Sequence, residues 1–129
     1  MPLPKLKNYT TSIPAGRSVG EIQKKHGDLM SGYGKDVSAT VLMLGLAEEV
    51  GEIARIGLKT EQGIRGFDKP LDENPELMME IGDLVMFLCH LCNKLNISLE
   101  KCIYVAFGKV LQRHERQAED GTNREASSS

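Results

Sequence analysis

The chain has 129 residues, of which 16 are basic and 18 acidic, for a net charge of −2 at neutral pH. That length fits one domain, and the near-balance of charge excludes a strongly basic nucleic-acid binder and a polybasic membrane anchor. Tryptophan is absent and aromatics are few, so there is no stacking platform for single strands.

Residues 1–17 hold three of the five prolines and read as an extended arm. The segment Met1 to Lys7 has no long apolar stretch, so no signal peptide is expected, and no stretch reaches the roughly 20 apolar residues of a membrane span. Ser18, with Glu21 three residues on, predicts a capped helix running to about Met30. Two glycines in Ser31-Gly32-Tyr33-Gly34 end it. A long helical pattern starts near Asp36 or Ser38 and continues to about Thr60, with Leu42, Leu46, Val50 or Glu49, Ile53 and Ile56 at helical spacing. Gly45, Gly51 and Gly57 each cost about 1 kcal/mol against Ala inside a helix. They mark a close approach of a helix or ligand, or a break.

Residues 61–74 read as a polar loop. Asn74-Pro75 is a helix start, with the cap and then proline at the first helical position, and predicts a helix to about Leu95. Asn96 stops it. Ser98 caps a last helix that ends at Arg116 or Ala118, and residues 119–129 read as a disordered tail. The expected organisation is therefore an arm over 1–17, a helical domain over 18–118 and a tail. Its fold class is all-α, an antiparallel bundle of three to four helices. The two long helices are apolar around most of their circumference, which one short chain cannot cover, so the core is expected to be completed by a second subunit. Cys89, Cys92 and Cys102 lie in apolar surroundings and read as reduced thiols of a cytoplasmic protein rather than a zinc or redox pair.

Two acidic clusters carry the chemistry: Glu48-Glu49-Val50-Gly51-Glu52 on one long helix, and Glu80-Ile81-Gly82-Asp83 on the next. At about 100° per residue, each forms a carboxylate patch one turn long. The short connection makes the helices antiparallel neighbours, so the patches can face each other. Taken singly, either cluster reads as a solvated helix face. Together, embedded among Leu, Met, Val and Phe, they would repel unless a hard divalent cation lay between them, and Mg²⁺ suits carboxylates and phosphates. Phe87, His90 and Lys94 continue the stripe of Glu80 and Asp83. Phe87 reads equally as core and as a ring stacking on a base, and His90 as a contact to a substrate edge or to a neighbouring group. Lys59, Arg65 and Lys69, in or near the loop, are candidates to clamp phosphates or are solvated surface charges.

Glu48-Glu49-x-x-Glu52 followed by Glu80-x-x-Asp83 resembles the signature of the MazG-like all-α nucleoside triphosphate pyrophosphohydrolases. The flanking Leu46 to Ile53, Glu80 to Leu88 and Leu95 to Glu100 extend the similarity over roughly residues 38–112. The resemblance implies that Glu49, Glu52, Glu80 and Asp83 are Mg²⁺ ligands, with Mn²⁺ as a substitute. It also implies that Glu48 orients or deprotonates water and that Phe87 stacks on the base. The implied reaction takes a nucleoside triphosphate to the monophosphate and pyrophosphate in a homo-dimer or homo-tetramer. Where family members place an Asn and an Arg against phosphate or sugar, this chain has Lys109 and Arg113 without the Asn. On the first helix and the turn after it, only His26 and Tyr33 are available near a base.

The rivals are a di-iron carboxylate bundle and a non-catalytic helical oligomerisation or partner-binding module that keeps the bundle. The first needs Glu-x-x-His on two helices, and none of His26, His90 and His114 has a Glu three residues before it. No Gly-rich loop ending in Gly-Lys-Ser/Thr occurs, which excludes a P-loop enzyme by motif.

Overall fold

The computed structural model describes residues 17–31 and 36–128, with side chains described as far as Gly121. Among the described residues the chain is all-helical: α1 (Val19–Met30), α2 (Ala39–Glu61), α3 (Pro75–Leu95) and α4 (Leu99–Ser128), with a single 3₁₀ turn at Leu71–Glu73 before α3. Residues 1–16 of the expected arm over 1–17 and the turn residues 32–35, Tyr33 among them, lie outside the described residues.

Short polar side chains fix where the helices start. Ser18 Oγ accepts from Glu21 N at 3.2 Å and Ser38 Oγ from Val41 N at 3.2 Å. Asn74 Oδ1 accepts from Glu76 N and Leu77 N, and Pro75 follows it where a missing N–H costs nothing. Asn96 turns left-handed, with φ 58°, to end α3, and Ser98 Oγ accepts from Lys101 N at 3.2 Å to start α4. The three glycines do not break α2. The last helix does not stop near Ala118 as expected but continues to Ser128. No proline falls within 99–128, and Ala118, Glu119, Arg124, Glu125 and Ala126 are good or fair helix formers.

The main packing is α2 on α3, antiparallel. Arg55 meets Glu76, the Glu49 carboxyl meets Glu80 and Gly45 meets Phe87, so each step up α2 is a step back along α3. Helix α1 lies across α3 and the start of α4. There Cys89, Cys92 and Leu99 are buried, with Val19, Ile22, Met86 and Leu88 packed against them. Burial pushes the Cys89 and Cys92 thiols above their ordinary range, as befits inert, free thiols. Gln23 ties this corner together. Its Nε2 donates to Asn93 Oδ1 at 3.0 Å and to Ile97 O at 2.8 Å, and its Oε1 accepts from Leu99 N at 2.8 Å. A buried amide so fully satisfied holds α1 to the α3–α4 turn at no desolvation loss.

Of the three α2 glycines, Gly45 has a visible reason. A Cβ there would lie 2.5 Å from Phe87 Cε1, so the ring sits on the α2 backbone. Gly45→Ala gains about 1 kcal/mol of helix propensity but overpacks the contact, which typically costs about 1–3 kcal/mol. A net loss of about 1 kcal/mol in urea unfolding is the expected outcome, and a more stable variant would show that the ring moves aside freely. No described helix is long and apolar enough to cross a membrane.

Candidate metal centre

The register of α2 on α3 brings Glu49, Glu80 and Asp83 together, with one carboxylate oxygen from each within 4.8 Å of the others. Two of the three are partly buried and Asp83 is exposed at the rim. Glu49 Oε2 is buried and has no hydrogen-bond partner. A hydrogen bond to Glu80, then burial, then the charges of Glu80, Asp83 and Glu48 push the Glu49 carboxyl up from 4.5 to about 7. Burial and the Glu80 charge raise Asp83 as well. Without a cation, a proton held between Glu49 and Glu80 relieves part of the repulsion. A hard divalent ion fits this donor set: it would satisfy the orphaned oxygen and reverse the sign of the repulsion.

That arrangement fixes a pH dependence. In the unfolded chain Glu49 titrates near 4.5, and in the folded chain it keeps its proton up to about 7. Its favourable contribution to folding is complete below 4.5 and is lost as pH rises through 7. An ion bound at the centre must displace the same proton. Apparent Mn²⁺ affinity is therefore expected to fall about tenfold per pH unit below 7 and to level off above it. Calorimetric titrations across that range check this, and a flat profile would remove the shared proton from the account.

The other residues expected at the site fall at several places. Glu48 is exposed beside Glu49 and adds to the charge upon it. Glu52 is outside the three-carboxylate group: its Oε2 accepts from Arg55 Nε at 3.1 Å. Phe87 is half-buried one turn beyond Asp83, against Gly45. Lys59 holds its Nζ 5.1 Å from the centre of the Phe67 ring. It is ten residues along α2 from Glu49, about 15 Å by helical rise. Arg65 and Lys69 are exposed in the loop, where Gly63 and Gly66 take positive φ. Lys109 and Arg113 are exposed on α4, and no ion pair joins them to the carboxylates among the described residues.

His90 meets His26 of α1, with ring centroids 5.6 Å apart and planes tilted by 51°. Both line a cleft of about 230 Å³ with Asp36, Asn93 and Lys94, and Lys94 bonds to Asp36. His26 Nδ1 is buried without a partner, and burial followed by the nearby His90 lowers the His26 pKa. Sequence reasoning missed Arg55 altogether, although its spacing of three from Glu52 is the signal that could have found it.

No curated protein and no solved structure matches the chain. Residues 37–117, well over half the chain and including both carboxylate patches, match the family model of the MazG nucleotide pyrophosphohydrolase domain. With the all-helical architecture and the meeting of Glu49, Glu80 and Asp83 beside it, the chain belongs to the MazG nucleotide pyrophosphohydrolase family.

Proposed function

We propose that the chain hydrolyses a nucleoside or deoxynucleoside triphosphate to the monophosphate and pyrophosphate, with Mg²⁺ or in its place Mn²⁺, as a cytoplasmic homo-dimer or homo-tetramer. The observation that carries this reading is the convergence of Glu49, Glu80 and Asp83 around an orphaned buried oxygen, within a chain of this family.

Glu49, Glu80 and Asp83 would hold the ion, with Glu52, one turn further along α2, as the fourth carboxylate of the set that the family resemblance implies. When bound, it supplies charge neutralisation for the phosphate oxygens and lowers the pKa of a coordinated water. The chain's own groups do the rest. Glu48, exposed beside the cluster, would orient the attacking water or accept its proton. The water oxygen bonds to the α-phosphorus, the bridging bond to the β-phosphate breaks, and its electron pair leaves with pyrophosphate. Phe87, packed on Gly45 of α2, would stack on the base, while His26 and His90 line a separate cleft. Lys59, Arg65 and Lys69, with Lys109 and Arg113 on α4, are the cations that this reading offers to the phosphates.

Product analysis with a panel of nucleoside triphosphates, with and without Mg²⁺, tests the reading. Monophosphate and pyrophosphate in equal amounts, only with the ion present, are expected. A nucleoside diphosphate product would contradict it, and no turnover with any nucleotide would favour a non-catalytic module.

A further inference from the structure

A pair of nitrogen ligands lies apart from the carboxylates. His26 of α1 and His90 of α3 meet with ring centroids 5.6 Å apart and planes tilted by 51°. Two imidazoles bound to one tetrahedral ion, through bonds of about 2.0–2.1 Å, hold their ring centres about 5 Å apart. A small turn of either ring therefore brings the pair to that spacing. His26 Nδ1 is buried and has no hydrogen-bond partner, so an ion on that atom would displace no existing bond. Both rings line the cleft of about 230 Å³ with Asp36 and Lys94, whose charges are paired with each other. Liquid water takes about 30 Å³ per molecule, so the cleft has room for an ion and the waters of its shell.

We propose that His26 and His90 form a separate metal site, for a borderline transition-metal ion such as Zn²⁺, that clamps α1 to α3. Imidazole suits Zn²⁺, Cu²⁺ and Ni²⁺, whereas Mg²⁺ and Mn²⁺ prefer the oxygen ligands of the carboxylate centre. The two places are also apart in space: His90 is seven residues along α3 from Asp83, about 10 Å by helical rise. Among the described residues no third His, Cys, Asp or Glu completes a set with the pair, so water fills the remaining positions. What the ion changes is the docking of α1. Gln23 already bonds to Asn93. Three residues on along α1 and three back along α3, His26 meets His90, and an ion between them adds a second tie in the same register.

Titration of the full chain with Zn²⁺, followed by the ring ¹⁵N signals of its three histidines, tests this without any nucleotide. The signals of His26 and His90 are expected to move together and to saturate at one ion per chain, with His114 unmoved. Excess Mg²⁺ should move none of them. In His90→Gln, the Zn²⁺ affinity read at His26 should fall by about tenfold or more, because loss of a group that merely orients a ligand already costs about 10–100-fold. His26→Gln, read at His90, gives the same test from the other helix. Asp83→Asn, altered at the carboxylate centre, should keep both the wild-type response and the rise in unfolding temperature that Zn²⁺ gives, which His90→Gln should lose. Histidine signals that stay in place, that move only in step with His114, or that respond equally to Mg²⁺ would overturn the proposal. So would a response that vanishes in Asp83→Asn, since the ion would then be the one on the carboxylates.

Discussion

Asp83→Asn and Glu49→Gln are each expected to lower pyrophosphate release by about a hundredfold or more, with far-ultraviolet ellipticity unchanged. Loss of a group that merely orients a metal ligand typically costs about 10–100-fold, and these two would be ligands themselves. Both substitutions keep size and shape, so the loss measures charge and not packing. A second readout moves the opposite way. In the ion-free protein the hydrogen bond to Glu80 and burial hold the Glu49 carboxyl up, burial holds Asp83 up, and the charge of Glu80 adds to both. Removing one charge should stabilise the ion-free fold by about 0.5 kcal/mol, while the thermal stabilisation given by added Mn²⁺ disappears. A misfolded variant would lose activity and stability together. An Asp83→Asn protein with near wild-type turnover would end the assignment of that carboxylate to the ion.

The parts of this architecture that were readable in the sequence are those set by local chemistry. Ser18, Ser38, Asn74, Asn96 and Ser98 all act at the helix ends where their side chains predict it. The carboxylate patches were readable because each is a single turn, and an antiparallel neighbour had to bring them face to face. What depends on register was not. The bridge from Arg55 to Glu76 follows only once Glu49 is set opposite Glu80, because the same offset then brings residue 55 to the first turn of α3. The approach of His26 to His90 depends likewise on how α1 crosses α3. The placing of Lys59 over Phe67 depends on a loop that turns at two glycines of positive φ, a path that no periodicity encodes. The end of α4 is not legible either, because a terminal segment reads as disordered by its position, although residues 118–126 include good helix formers.

The outer side of α2 leads to the other large effect. Met43, Leu44, Ala47, Val50, Ala54 and Leu58 are all exposed on the side turned away from α3, and Leu44 is 66 % exposed. Gly51, on the same side, has nothing within 4 Å of where a Cβ would stand. A stripe of six apolar residues without a charge is not how a solvated helix face is composed. Helix α4 repeats the pattern, with Ile103, Tyr104, Phe107, Val110 and Leu111 exposed beyond its first turns. A second copy of the chain would cover both faces, and small residues at 47, 51 and 54 would allow a second copy of α2 to approach closely. The wild type is therefore expected to sediment at twice the 14.2 kDa chain mass or more. Leu44→Glu, which places a charge in the middle of that stripe, should shift the protein to monomer or to aggregate. It should also lower the unfolding temperature, since the apolar faces of α2 and α4 would then stand in water. The carboxylate centre lies on the opposite side of α2, so ion binding by any folded monomer should survive the change. A wild-type protein that stays a single, active 14.2 kDa species at micromolar concentration would leave those faces without a physical reason and defeat the prediction.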